Sequence, residues 1–194
     1  DQVKISEALG AVVNLGFDLT QFDDLQHVTT RYELTPAEQQ AIQYAQNNNV
    51  LLVVAAGNTG DKMSALGSAA QTFDIILVVG AVNIQDEKAD YSAQGKGLSL
   101  VAPGGEWINN PTAFVGTSRS TAYVTAAVTL AWQANPVLNY QQVKAIVLQA
   151  ADDLGEPGWD PETGAGLLDV EESILLAQQT EEEELTVAKK KETE

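Results

Sequence analysis

Two short stretches of this 194-residue chain carry residue types suited to acyl transfer. Gly116-Thr117-Ser118 opens a helix-length segment. A serine at a helix N-terminus sits among unpaired backbone N–H groups and a partial positive charge, where a developing oxyanion is held. Ala55-Ala56-Gly57-Asn58 follows an apolar run, and an asparagine carboxamide aimed at the same point supplies a second donor. Together these make half of an acyl-transfer site. The general base is not evident: the single histidine, His27, falls in a loop after Asp23-Asp24 and reads as a surface residue. Taken alone, Thr117-Ser118 is also an ordinary helix cap, and Asn58 a turn residue beside Gly57 and Gly60.

Composition removes other chemistries. With no cysteine there is no thiol nucleophile, disulfide scaffold or Cys-ligated metal, and one histidine rules out a His-rich metal site. Lys+Arg 10 against Asp+Glu 27 gives a formal net charge of −17, which opposes nucleic acid and anionic lipid as partners. No apolar run approaches the roughly 18 residues of a membrane span. The clustered acids Asp152, Asp153, Glu156 and Asp160 are candidates for a structural Ca2+, with solvated loop acids as the alternative. No other cofactor is required.

The elements that must position these residues follow from apolar runs. Gly10 to Phe17, Val50 to Gly57, Ile75 to Val82 and Leu98 to Ala102 read as strands buried on both faces. Thr35-Pro36-Ala37-Glu38 is a capping box, starting a helix with its apolar face at Ala37, Ala41, Tyr44 and Ala45. Strand, helix, strand in this order predicts a doubly wound α/β fold with a mostly parallel sheet and helices on both faces. A buried central helix runs from Gly116-Thr117-Ser118 to Ala134. Another starts at the cap Asn139 and buries Val143, Ile146, Val147 and Ala150, and a last short one follows Leu168-Asp169-Val170. Residues 1–177 form one domain. Residues 178–194, with charge blocks at Glu181 to Glu184 and Lys189 to Lys191, read as a linker or disordered tail. The chain opens at Asp1 without Met or a signal-like segment and is expected to continue upstream.

From Ala11 to Ala177 the chain resembles the subtilisin family of serine peptidases, in family order. Val12-Val13-Asn14-Leu15 is similar to the substrate-cleft strand and Val53 to Asn58 to the oxyanion-hole segment. Val79-Gly80-Ala81-Val82, Tyr91-Ser92 and Val101-Ala102-Pro103-Gly104 resemble the next strands and loop. Gly116-Thr117-Ser118 matches the nucleophile motif and Gly164-Ala165-Gly166-Leu167 the closing turn. The resemblance implies that Ser118 is the nucleophile and that Asn58 and the Ser118 N–H form the oxyanion hole. Gly16, Phe17 and Asp18 on one side, and Ala55, Ala56 and Gly57 on the other, would line the substrate pocket. The family's Asp and His would precede this chain, as the upstream part of the same polypeptide. Departures fall at Arg119, Ala122-Tyr123, Ala126 and Ala70.

The expected function is serine endopeptidase activity on protein or peptide substrates, in a secreted or cell-surface protein, with this stretch inactive by itself. The alternative is a catalytically dead subtilisin-like domain acting as a peptide-binding or scaffold module. A nucleotide-binding domain has no support, because no glycine-rich phosphate loop follows any strand.

Overall fold

The hydrophobic runs pair side by side. In a computed structural model that describes residues 10–106 and 114–180, β1 (Ala11–Leu15), β4 (Val50–Ala55), β5 (Ile76–Val82) and β6 (Leu98–Pro103) form a parallel sheet in that order. The register Leu15↔Val54 and Ala55↔Val79 brings the chain out of β1 and β4 at the same carboxyl edge. Between β1 and β4, β2 (Thr20–Phe22) and β3 (Val28–Thr30) make a small antiparallel hairpin, which sequence reading took for loop. Its strands are short and largely polar, so they carry no alternation signal.

β5 is buried at all seven positions, which requires cover on both faces of the sheet. β1 is not: its residues are mostly exposed, contrary to the expectation of a doubly buried strand. The reason is positional. Among the described residues β1 pairs only with β4 and so forms the sheet's edge.

Helix α1 (Pro36–Asn47) begins with the anticipated capping box: Thr35 Oγ1 accepts from the Glu38 N–H, while the Glu38 carboxylate accepts from the Thr35 N–H at 2.8 Å. Its inward face differs from the expected one. Ile42 is the buried residue, with Ala45 half-buried, while Ala37, Ala41 and Tyr44 face outward. The five-residue α2 (Ala65–Ala69) is too short to leave a periodic signal. The long helix α3 (Thr117–Ala134) packs across all four strands of the sheet, burying Ser120, Thr121, Val124, Ala127, Val128 and Ala131. One face remains open, at Ala122, Tyr123, Ala126 and Leu130. Helices α4 (Tyr140–Gln149) and α5 (Val170–Gln179) pack on α3, capped by Asn139 and Asp169 as the sequence indicates. The charge blocks at 181–184 and 189–191 lie outside the described residues.

Candidate active site

Residues that leave the carboxyl edge meet the start of α3. Gly16 follows β1 and rests on Ser118: a Cβ built there would lie 3.4 Å from Ser118 Cβ. Asn14 fixes this approach. Its Nδ2 donates to Thr125 Oγ1 on α3 at 2.9 Å, and its Oδ1 accepts the Gly16 N–H at 3.0 Å. The loop is thereby tied to the helix whose first turn carries Ser118.

From β4 comes Asn58, exposed at the end of a fully buried stretch. Its carboxamide oxygen accepts from the Thr117 backbone N–H at 2.8 Å and from Thr117 Oγ1 at 3.0 Å. Thr117 Oγ1 in turn accepts the Gly57 N–H at 3.3 Å. Thr117 is buried, and with both donors on Oδ1 the orientation of the amide is set, turning Nδ2 away from Thr117. Sequence reading treated Thr117 as part of a motif or as a cap. The cap residue is instead Gly116, and no side chain caps α3. Gly116 has φ 140°, and any Cβ there would sit 3.2 Å from both Asn58 Nδ2 and Oδ1, so only glycine lets the carboxamide come this close.

Thus Ser118 and Asn58, anticipated as partners, are brought together through Thr117. Ser118 itself is half-buried and lies at the N-terminus of α3, where the helix leaves N–H groups unpaired. Of the anticipated pocket residues, Gly57 meets Asp18, whose Oδ1 would be 3.3 Å from a Cβ on Gly57. Phe17 is exposed, and Ala55 and Ala56 are buried beneath the loop. Burial raises the Asp18 pKa above the usual carboxylate value, partly offset by the Ser64 hydroxyl and the Asn58 backbone N–H.

The residues after the nucleophile motif make local contacts. The Arg119 guanidinium stands 5.8 Å from the Tyr123 ring centre and donates to Tyr123 Oη at 3.3 Å. His27 is where its loop position suggested, exposed in the β2–β3 turn with Nδ1 3.3 Å from Asp23 Oδ2.

Two of the four acids considered for calcium, Asp153 and Asp160, serve as turn acceptors. Asp153 Oδ2 accepts the Gly158 N–H at 2.7 Å, and Asp160 accepts the N–H groups of Glu162 and Thr163 and the Thr163 hydroxyl. Burial raises the Asp160 pKa, but these hydrogen bonds outweigh it and hold the group below its ordinary value. Among the described residues no three such side chains converge as a metal site. Two open grooves of about 380 Å³ border Tyr32, Glu33 and Leu34 and do not include Ser118.

Comparison with known proteins gives a consistent picture. Residues 5–166 match the subtilase family, peptidase S8. The chain is 35% identical over 111 residues to the cell wall-associated protease of Bacillus subtilis, covering 55% of this chain and 12% of that protein. It is 32% identical over 142 residues to subtilisin DY of Bacillus licheniformis, covering 70% of this chain and 50% of that protein. Among solved structures, the prenylagaramide maturation protease PagA superposes with a TM-score of 0.65 at 26% identity, over 86% of this chain and 61% of its own. The patellamide maturation protease PatA shares the fold with a TM-score of 0.66 at 24% identity, over 88% and 64% of the two chains. The chain spans half or less of the length of these two curated relatives.

Proposed function

The chain belongs to the subtilase family, and from that membership we propose that it supplies the nucleophile and oxyanion hole of a serine endopeptidase whose Asp and His come from the preceding part of the polypeptide. One observation carries the reading: Thr117 orients the Asn58 carboxamide at the N-terminus of the sheet-packed helix whose first turn carries Ser118.

In this reading Ser118 Oγ attacks the scissile carbonyl carbon while its proton passes to the imidazole of the upstream His, oriented by the upstream Asp. The carbonyl π pair moves onto oxygen, and the resulting O⁻ accepts hydrogen bonds from Asn58 Nδ2 and the Ser118 N–H. Collapse of the tetrahedral adduct expels the amine, which takes the proton from the imidazolium and leaves an ester on Ser118. Water then attacks the ester by the same steps in reverse order of partners. Asn14 and Gly16 hold one lip of the cleft against α3, and Gly57 belongs to the other. The reaction needs no cofactor.

The substrate is a protein or peptide, and the setting is secreted or cell-surface. A cell wall-associated protease among the relatives supports that setting, and among the described residues no helix is long and apolar enough to cross a membrane.

A fluorophosphonate probe tests the assignment. The full-length protein should be labelled at Ser118, as mapped by peptide mass, and the Ser118→Ala variant and residues 1–194 alone should not. A folded full-length protein that takes no label would overturn the reading.

A further inference from the structure

Asp18 is out of keeping with its surroundings. Its Oδ1 is buried and reaches no partner at ordinary hydrogen-bond distance and angle, and the donors that stand nearest the carboxylate, the Ser64 hydroxyl and the Asn58 backbone N–H, are neutral. Ser64 stands at the N-cap of α2 yet caps nothing, and it is almost fully buried. A half-buried carboxylate with one oxygen out of water and only neutral donors beside it is costly unless a counter-charge completes it. Among the described residues no group of opposite charge does so: the ion pairs are His27–Asp23, Arg31–Glu38 and Lys144–Asp74.

Its location decides what that something is. Gly16 abuts Ser118, and Asp18 lies two residues further along the same loop, at most about 7 Å away along the chain. The carboxylate then rests on Gly57, with Oδ1 and Oδ2 3.3 and 3.6 Å from where a Cβ would be. Gly57 is followed by Asn58, which Thr117 ties back to the start of α3. Asp18 therefore belongs to a continuous run of contacts and chain links, Ser118–Gly16–Asp18–Gly57–Asn58–Thr117, that begins and ends at the first turn of α3. Gly57, at φ 115°, keeps the space in front of the carboxylate free of a side chain.

We propose that Asp18 binds the side chain of the residue whose carbonyl Ser118 attacks, and selects a long cationic one, arginine or lysine. The proposal rests on the peptidase reading and names its substrate class. A guanidinium or ammonium group at the end of an extended stem would reach past Gly16 and neutralise the carboxylate, with charge-assisted hydrogen bonds to its oxygens. The Ser64 hydroxyl would accept one of the cation's remaining N–H groups. An apolar side chain of the same length would cover the Asp18 carboxylate and leave it without a counter-charge. Selectivity arises from that penalty as much as from the attraction. Burial already holds the Asp18 pKa above its ordinary value, as befits a carboxylate awaiting a counter-charge.

The full-length enzyme, assayed on otherwise identical fluorogenic peptides with arginine, lysine or norleucine before the scissile bond, reads this directly. Wild type should favour arginine and lysine in kcat/KM. The near-isosteric Asp18→Asn should lower the arginine value on the order of 100-fold and raise that for norleucine, inverting the preference. Ser64→Ala should narrow the same ratio by a smaller factor. A norleucine preference in wild type, or an arginine-to-norleucine ratio that Asp18→Asn leaves within about threefold, would overturn the proposal.

A binding arm separates this from the peptidase reading. In full-length Ser118→Ala, calorimetry should detect benzamidine binding but not neutral benzamide, with benzamidine binding abolished by Asp18→Asn. If the enzyme cleaves nothing yet shows that selectivity, the peptidase reading fails and the Asp18 site stands. If benzamidine binds no better than benzamide, the Asp18 site fails.

Discussion

Thr117 donates to the Asn58 carboxamide oxygen twice, from its backbone N–H at 2.8 Å and from its hydroxyl at 3.0 Å. Thr117 thus sets the orientation of the carboxamide that the proposed mechanism uses as oxyanion donor.

Thr117→Val keeps the backbone donor, removes the hydroxyl and leaves the buried Gly57 N–H without its acceptor. We expect a loss of about 1–3 kcal/mol in stability, read by denaturant melts. The kcat should fall roughly tenfold with little change in KM. Thr117→Ser retains both hydrogen bonds and should stay near wild type, which separates the hydroxyl's role from packing.

Asn58→Ala removes the side-chain donor that the proposed mechanism aims at the oxyanion. The expected fall in kcat is about 10²–10³, a magnitude known from a subtilisin, at nearly constant KM. Labelling of Ser118 should persist at a reduced rate, because the nucleophile remains.

Gly116→Ala forces a Cβ to within 3.2 Å of the Asn58 carboxamide, at a φ of 140° that side chains rarely adopt. The variant should lose at least as much kcat as Asn58→Ala and also unfold at lower denaturant. An unchanged melt and turnover would show that the carboxamide does not need this approach.

The chain's lines of organisation were legible from local pattern wherever pattern and neighbourhood agree. The runs at Val50 to Gly57 and Ile75 to Val82 are covered on both faces, as their uninterrupted hydrophobicity implies. The similar run at Ala11 to Leu15 is an open edge, because periodicity records hydrophobicity and not which neighbours are present. In α1 the cap was readable from four residues, but the inward face was not. Tyr44 is 72% exposed while Ile42 is buried, because the sheet's position and not the helix repeat selects the face. Ser118 and Asn58 were readable as motifs. The direction of the Thr117 hydroxyl and the partial burial of the Asp18 carboxylate against Gly57 were not, since both depend on residues distant in sequence meeting at one edge.

Acid stability should carry the mark of the Arg31–Glu38 pair. The Glu38 carboxylate accepts from Arg31 Nη1 at 2.8 Å and from Nη2, and Arg31 together with the Thr35 N–H holds its pKa down to about 2. A carboxylate depressed in the folded state contributes stability above its unfolded value. That contribution is lost as pH falls from about 4.5 toward 2. Because the pair is near the surface, the effect is modest and salt-screened. Thermal melts of Glu38→Gln should lie below wild type at neutral pH and converge with it toward pH 2. A gap that stays constant with pH would point to the cap geometry alone.

The most direct measurement is a crystal structure of the full-length protein soaked with a peptide aldehyde bearing a C-terminal argininal. The account predicts a bond from Ser118 Oγ to the aldehyde carbon, the hemiacetal oxygen within hydrogen-bond reach of Asn58 Nδ2 and the Ser118 N–H, and the argininal side chain at Asp18. An adduct whose oxygen points away from Asn58, or a peptide bound with Ser118 unmodified, would contradict it.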